Sequence, residues 1–304
     1  MNVAMELISV NKNIGKKHII KDLNLSIHKG EVFGLLGPNG AGKTTTIRMM
    51  VGLMKMTSGD IQIEGHSIRK DYKNAVRHVG AIVENPEMYP FLSGWKNLKH
   101  YARMIPGITD ERIHEVIQLV GLQKAIKEKA GRYSLGMRQR LGVAQALLHR
   151  PSILILDEPT NGLDPAGIRE IRQYIRKLAE EEDVSVIVSS HLLSEIELMC
   201  DRIGIIKNGE LLSVEDVKDS QDEENTELSV TLNVSPLKEA MEIVSSFPNK
   251  SEEEHSITVK ATREQIPDII KSLVQADIQV YEVNVEKTSL EDKFFEWIGE
   301  NTIA

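Results

Sequence analysis

Residues 37–46 read GPNGAGKTTT, and the reading of the whole chain starts from them. They fit G-x-x-x-x-G-K-[ST], with Gly37, Gly42, Lys43 and Thr44 in the fixed places. Each residue type answers a physical demand. Glycines let backbone N–H groups curl round phosphate oxygens, and a following helix aims its positive N-terminal end at them. The run Gly37, Pro38, Asn39, Gly40, Ala41, Gly42, Lys43, Thr44 and Thr45 is therefore the candidate phosphate cradle. Lys43 can reach β- and γ-phosphates, and the Thr44 hydroxyl suits a Mg²⁺ ligand. The flanks agree with this. EVFGLLG, from Glu31, reads as a buried strand, and TTTIRMMVGLM has helical apolar spacing to about Leu53. Met49, Met50 and Met54 fall on that helix's apolar face as core filler.

Composition bounds the rest. The 304 residues are 41% hydrophobic and 27% charged, a globular balance with length for one large domain and a smaller one. The net charge of -8 argues against nucleic acid or anionic lipid as the main partner. A single cysteine, Cys200, excludes an internal disulfide and fits a reducing compartment. No apolar run approaches the roughly 20 residues that cross a bilayer, and MNVAMELISV lacks the features of a signal peptide. The expectation is a soluble cytoplasmic chain that serves a membrane, if at all, through a partner.

Along the chain, residues 5–35 read as short strands with turns at Gly15 and Lys29-Gly30. SGDIQIEG and VGAIVENP are strand-like, with a short helix between them. From residue 95 to about 122 the spacing turns helical, broken at Pro106-Gly107. Another helix opens in YSLGMRQRLGVAQALL with Ser134 as N-cap, and Pro151 ends it. Helical character over about 86–150, set between α/β stretches, predicts a helical subdomain carried on a sheet core. SILILDEP and VSVIVSSH read as buried parallel strands, separated by the turn NGLDPAG and the helix IREIRQYIRKLAEEE. LLSEIELMC is helical, and DRIGIIKNGELLSV reads as a hairpin. An acidic linker at 216–227 follows a first domain of residues 1–215. Residues 228–304 alternate strand and helix, giving a small C-terminal α+β domain of about 80 residues. Phe294, Phe295 and Trp297 cluster in its last helix and are expected to pack on that domain's sheet.

The strand ILILD ends in Asp157, which suits holding Mg²⁺ directly or through water. Glu158 follows and is placed to orient or deprotonate an attacking water. Just upstream, Tyr133, Ser134, Leu135, Gly136 and Met137 resemble the LSGGQ signature of ATP-binding cassette (ABC) ATPases, with a basic, glutamine-containing helix after it. In that family the signature presents a helix N-terminus, a serine hydroxyl and close N–H groups to a γ-phosphate. The other landmarks appear in the family's order. NGLDP matches the D-loop with Asp164 as its acid, and His191 matches the switch histidine. The resemblance spans about residues 3–215.

The resemblance implies a P-loop ABC ATPase core that binds ATP and Mg²⁺, with Glu158 and His191 catalytic. It assigns nucleotide contacts to the glycine-rich loop and to Ser134, Leu135, Gly136, Met137 and Asp164. Metal contacts fall to Thr44, Asp157 and Glu84. Several places depart from the family pattern. Leu135 and Met137 replace a glycine and a glutamine of the signature. Ile14 stands where an aromatic ring usually stacks on adenine, forfeiting roughly 0.5–1.5 kcal/mol. Glu84 replaces a glutamine; it can still ligate Mg²⁺ but adds negative charge near the phosphates. Glu84 with NPEMYP, together with YSLGM, resembles the ATPases of bacitracin-resistance and lantibiotic-immunity exporters.

One signature per chain implies a homodimer with composite ATP sites, because the family pairs the loop of one subunit with the signature of another. The transmembrane permease is then a separate polypeptide, docked in a groove lined by residues 84–98. Tyr89, Phe91 and Leu92 are its candidate contacts. The chain would sit on the inner face of the cell membrane. The rival class is a soluble ABC ATPase acting on nucleic acid or ribosomes. Such proteins usually carry tandem cassettes or a long coiled-coil insertion, and neither is present. A generic P-loop kinase or GTPase would lack the motif at 133–140.

Overall fold

The computed structural model describes residues 3–217, 228–244, 247, 251–253 and 256–287. The chain divides into two compact units, one ending at Asp216 and the other starting at Val217.

The first unit opens with a long hairpin, β1 (Val3–Ile14) and β2 (Lys17–His28). After β3 (Val32–Leu36) and α1 (Lys43–Met50), the strands β4 (Ser58–Ile63) and β5 (His66–Ser67) complete an antiparallel sheet in the order β2-β1-β4-β5. The short helix α2 (Tyr72–Val76) leads to β6 (Val79–Ile82). Three helices follow: α3 (Gly94–Ala102), α4 (Asp110–Leu119) and α5 (Leu135–Ala146). Ser93, Thr109 and Ser134 cap them, each side-chain oxygen accepting a backbone N–H from the first turn. The three helices pack pairwise. The chain then runs through β7 (Ile153–Asp157), α6 (Pro165–Glu182), β8 (Ser185–Ser190) and α7 (Leu193–Glu197). It closes with the hairpin β9 (Arg202–Lys207) and β10 (Glu210–Asp216).

The central sheet has the order β10-β9-β3-β8-β7-β6 and is parallel from β9 to β6. Its three middle strands, β3, β8 and β7, are buried at every position. That is why β3, the first four residues of β7 and the VIV centre of β8 run apolar without alternating. α6 covers the sheet with a single stripe, Ile171, Tyr174, Ile175, Leu178 and Ala179, at helical spacing. Parallel strands end at a common edge, and the register fixes where. Asp157 pairs with Ser189, and Leu36 pairs with Ser190. Gly37, Glu158 and His191 are therefore each the first residue beyond a strand at that edge.

Two helix ends differ from the expectation. α1 stops at Met50, where Val51 caps it and Gly52 takes a left-handed turn, short of Leu53. α5 stops at Ala146 rather than at Pro151, because Leu147 caps it and Arg112 takes over the Leu147 and Leu148 carbonyls. Asp216, expected to start the linker, closes β10, and residues 218–227 lie outside the described residues.

The second unit holds β11 (Leu228–Ser235), α8 (Leu237–Ile243), β12 (Ser251–Glu253), β13 (Ser256–Ala261), α9 (Gln265–Gln275) and β14 (Gln279–Lys287). Its antiparallel sheet has the order β12-β13-β11-β14. Alternate residues Val230, Leu232, Ile257 and Val259 form a core with Ile269 and Leu273 of α9. Phe294, Phe295 and Trp297 lie outside the described residues.

The turn between β9 and β10 ties the two sheets of the first unit to the glycine-rich loop. Gly209 N–H donates to the Ala41 carbonyl at 2.9 Å, and the Gly209 carbonyl accepts from Lys21 N–H at 2.8 Å. The position has φ 81°, and a Cβ there would lie 1.9 Å from the Ile19 carbonyl oxygen. Gly209→Ala is expected to lower stability by about 2 kcal/mol or more through strain and clash. It should also weaken nucleotide binding. Denaturant unfolding and nucleotide titration of the same preparation check both effects.

Candidate functional site

The loop of residues 37–42 joins β3 to α1 at the edge just described. It closes tightly, with Ala41 N–H on the Pro38 carbonyl at 3.1 Å. Gly42 has φ 114°, and a Cβ on it would sit 2.6 Å from Ile20 Cδ1, so only glycine lets the chain enter the helix there. Lys43 follows with its side chain 6% exposed. Its Nζ donates to the Gly37 carbonyl at 2.7 Å and the Pro38 carbonyl at 3.4 Å. It also lies 3.4 Å from Glu158 Oε1. The other carboxylate oxygen of Glu158, Oε2, is 2.9 Å from His191 Nδ1. One carboxylate thus bridges the loop cation and the imidazole, across three strand ends.

Ser189 sets the two acids. Its hydroxyl donates to Asp157 Oδ1 at 2.6 Å and accepts the Glu158 N–H at 2.9 Å. Asp157 and Ser189 are buried, so this bond orients a carboxylate that has little water to turn towards. Glu158 adopts φ 49°, a left-handed conformation uncommon for a non-glycine residue. The Ser189 bond helps to hold it there.

A cleft of about 490 Å³ opens over these groups. It brings together Asn39, Gly40, Gly42, Lys43, Thr44 and Thr45 with Glu158 and His191. Ile19 and Asn161 also line it, and neither was singled out from the sequence. Asn161 opens the NGLDP turn and was legible as part of it. Ile19 comes from the antiparallel sheet, and nothing local to residues 17–28 marks it. Gly37, Pro38 and Ala41 belong to the loop without lining the cleft.

The remaining candidates lie elsewhere in the chain. Ser134 is exposed and caps α5, its Oγ accepting from Met137 N–H at 3.2 Å. Tyr133 anchors that end, donating to the Ala125 carbonyl at 2.7 Å; burial raises its pKa. Asp164 caps α6 through Gly167 N–H at 2.9 Å. These two helix starts meet. A Cβ on Gly162 would lie 3.1 Å from Leu135 Cδ2, and one on Gly136 would lie 3.8 Å from Leu163 Cδ2. Ser134, Leu135, Gly136, Met137 and Asp164 do not line the cleft that holds Lys43 of the same chain. Glu84 has φ 67°, and its carboxylate pairs with Arg48, one helical turn beyond Thr44 on α1.

A second cleft, of about 390 Å³, lies where β6 meets the helices, with Val83, Pro86, Tyr101 and Gln145 in its walls. Nearby, the buried Asn97 accepts from Tyr89 N–H at 2.8 Å and donates to the Tyr89 and Ser93 carbonyls. Tyr89 and Phe91 stand 41% and 66% exposed on that loop, and Leu92 is half-buried.

The sequence pattern described as "ABC transporter" matches residues 20–161. The ABC transporter ATP-binding protein YhcH of Bacillus subtilis is 55% identical over 300 residues, 99% of this chain and 97% of that one. This chain belongs to the ABC transporter ATP-binding proteins. The bacitracin transport ATP-binding protein BcrA of Bacillus licheniformis is 40% identical over 308 residues, covering 100% of both chains. The solved dimeric structure of the ATP-binding cassette MJ0796, bound to ADP and Pi, matches with a TM-score of 0.62 at 26% identity. The match covers 70% of this chain and 98% of that one. As an ABC subunit the chain binds ATP and hydrolyses it in step with transport. That reading displaces the soluble cassette acting on nucleic acid or ribosomes.

Among the described residues no Phe, Tyr or Trp lines the cleft, and Ile14 is half exposed at the tip of the first hairpin. Base recognition without a ring should discriminate little, leaving ATP and GTP affinities within about tenfold of each other. Ile14→Tyr is expected to tighten ATP binding a few-fold, in line with about 0.5–1.5 kcal/mol for an aromatic stack. Dissociation constants for both nucleotides at fixed Mg²⁺ check this. A wild-type preference for ATP well above tenfold would show that adenine is gripped by another side chain.

Proposed function

We propose that this ABC subunit works as a homodimer under a separate transmembrane permease, each ATP site being completed by the signature of the second chain. The observation that carries the proposal is the composition of the main cleft. It holds the glycine-rich loop, Glu158 and His191 but no residue of 134–137. Half a site per chain calls for a second copy. The dimeric form described for MJ0796 supports the same reading.

In this reading the Lys43 ammonium exchanges the Gly37 and Pro38 carbonyls for β- and γ-phosphate oxygens, a stronger charge partner. Glu158 is then released from Lys43 and acts on the attacking water, while His191 holds the carboxylate from its other side. Residues 134–137 of the second chain offer the exposed Ser134 hydroxyl and the Leu135 and Gly136 N–H groups at the start of α5 to the γ-phosphate. Asp164 reaches the site from its turn.

The residues also fit Mg²⁺. Thr44 and Asp157 supply hard oxygen donors, and Ser189 fixes one Asp157 oxygen so that the other is left for the ion or its water. Among the described residues no three or more His, Cys, Asp and Glu side chains gather as a closed cage. An ion here would complete its shell with phosphate and water oxygens. Bound Mg²⁺ supplies neutralisation of charge on the β- and γ-phosphates. Glu84 has matching oxygen chemistry and would join once it leaves Arg48.

Among the described residues no helix is long and apolar enough to cross a membrane. We assign the permease to the second cleft and to the exposed Tyr89 and Phe91, with Leu92 beside them, which puts the subunit on the inner face of the membrane. The likeness to BcrA points to export of peptide antibiotics as the work done.

Two outcomes follow from the site. Lys43→Ala should abolish ATP binding, whereas Glu158→Gln should keep binding and stop hydrolysis; nucleotide titration and phosphate release separate the two steps. Glu158→Gln with saturating ATP should sediment as a dimer, and adding Ser134→Arg should return it to monomer. A Glu158→Gln protein that stays monomeric alone and with its membrane partner would refute the composite site.

A further inference from the structure

We infer that Glu195 is a positioning residue for ATP hydrolysis, fastening together the two strand ends that carry Glu158 and His191. The inference rests on the roles proposed above for those two residues. The pairing of β7 with β8 ends at Asp157 and Ser189. Glu158 lies one residue past that point and His191 two. Both act where the ladder of these strands no longer holds them side by side.

Glu195, on α7, lies four residues after His191 and spans the gap. Its Oε2 accepts from Thr160 Oγ1 at 2.5 Å and from Ser190 Oγ at 3.3 Å. Thr160 is two residues after Glu158 and 3% exposed; Ser190 directly precedes His191 and is 1% exposed. The Ser190 oxygen in turn accepts the Leu192 N–H at 3.0 Å, so this hydroxyl grips the chain on both sides of His191. On the other strand, the Thr160 carbonyl accepts from Leu163 N–H at 3.1 Å, which ties the bond to the turn presenting Asn161 to the cleft.

The chemistry makes this a firm link. An ionised acceptor shortens and strengthens a hydroxyl hydrogen bond, and 2.5 Å is in that class. Two buried hydroxyls deprived of it would have little water to turn to. Each would seek a new partner, and the 2.9 Å contact between Glu158 and His191 would lose its frame. These hydrogen bonds of Glu195 do not involve residues 37–45, which would bind the phosphates. Loss of Glu195 should therefore slow the chemical step and spare binding.

The test uses the full chain. Glu195→Ala is expected to lower kcat about tenfold while KM and the ATP dissociation constant stay within about twofold. Glu195→Gln keeps an acceptor oxygen and should remain within about threefold of wild type. Added to His191→Ala, Glu195→Ala should cost little more, because both changes act through one frame. A role confined to folding predicts a lower melting temperature with normal turnover per ATP-binding site. That result would overturn the inference, as would fully multiplicative losses in the double variant. If Glu195→Ala does not fold, Thr160→Val removes the shorter bond with little change of shape and is judged by the same kcat and KM criteria. Wild-type turnover in His191→Ala and Glu158→Gln would refute the underlying roles. Slow turnover in both, with normal turnover in Glu195→Ala, would refute this inference alone.

Discussion

β8 lies between β3 and β7, and all three strands run the same way and stop at the same level. Every other feature of the nucleotide site depends on that alignment. It delivers the glycine-rich loop, the pair Asp157 and Glu158, and His191 to one edge from stretches far apart in sequence. Parallel neighbours cannot be joined by a tight turn, so a crossover has to run between them. Between β6 and β7 that crossover has grown into α3, α4 and α5, which include the signature and one wall of the second cleft. The element read as a helical subdomain is thus an enlargement of a connection that the parallel sheet already requires.

Charge is arranged around the same edge in compensated steps. Lys43 is nearly enclosed, and Glu158 offsets it at 3.4 Å. Glu84 brings a carboxylate to the segment after β6, and Arg48 stands against it. Both partners of that pair are substantially exposed, so its contribution to stability is about 0–1 kcal/mol. Arg48 follows Thr44 by one helical turn and stands in the last turn of α1, where it holds the Glu84 carboxylate against that helix.

The sequence was most legible where chemistry is local. The strands β3 and β7 announce themselves by unbroken apolar runs, the loop by its glycines, and α5 by the serine before it. Glu158 was visible as an acid just past such a strand, while His191 could be named only through the resemblance to the ABC motif order. Legibility failed where the partner is distant. Ile19 lines the cleft from another sheet, and Glu195 matters only because Thr160 and Ser190 fold against it. The early end of α5 depends on Arg112, a side chain from α4. Glu84 was legible as a departure in residue type, but its pairing with Arg48 had no signal in either stretch.

The tie between Gly209 and Ala41 also imposes an order in time. β3 needs β8 on one side and β9 on the other, and the loop after it takes a hydrogen bond from the turn that follows β9. A ribosome makes the glycine-rich loop early and those neighbours much later. During synthesis the loop emerges without the strands that flank β3 or the turn that braces it. Long-range pairing of this sort is slow to form. A chain interrupted before residue 209 would carry every residue of the phosphate loop and still lack the finished cradle, so truncated products should not compete for nucleotide with the complete protein.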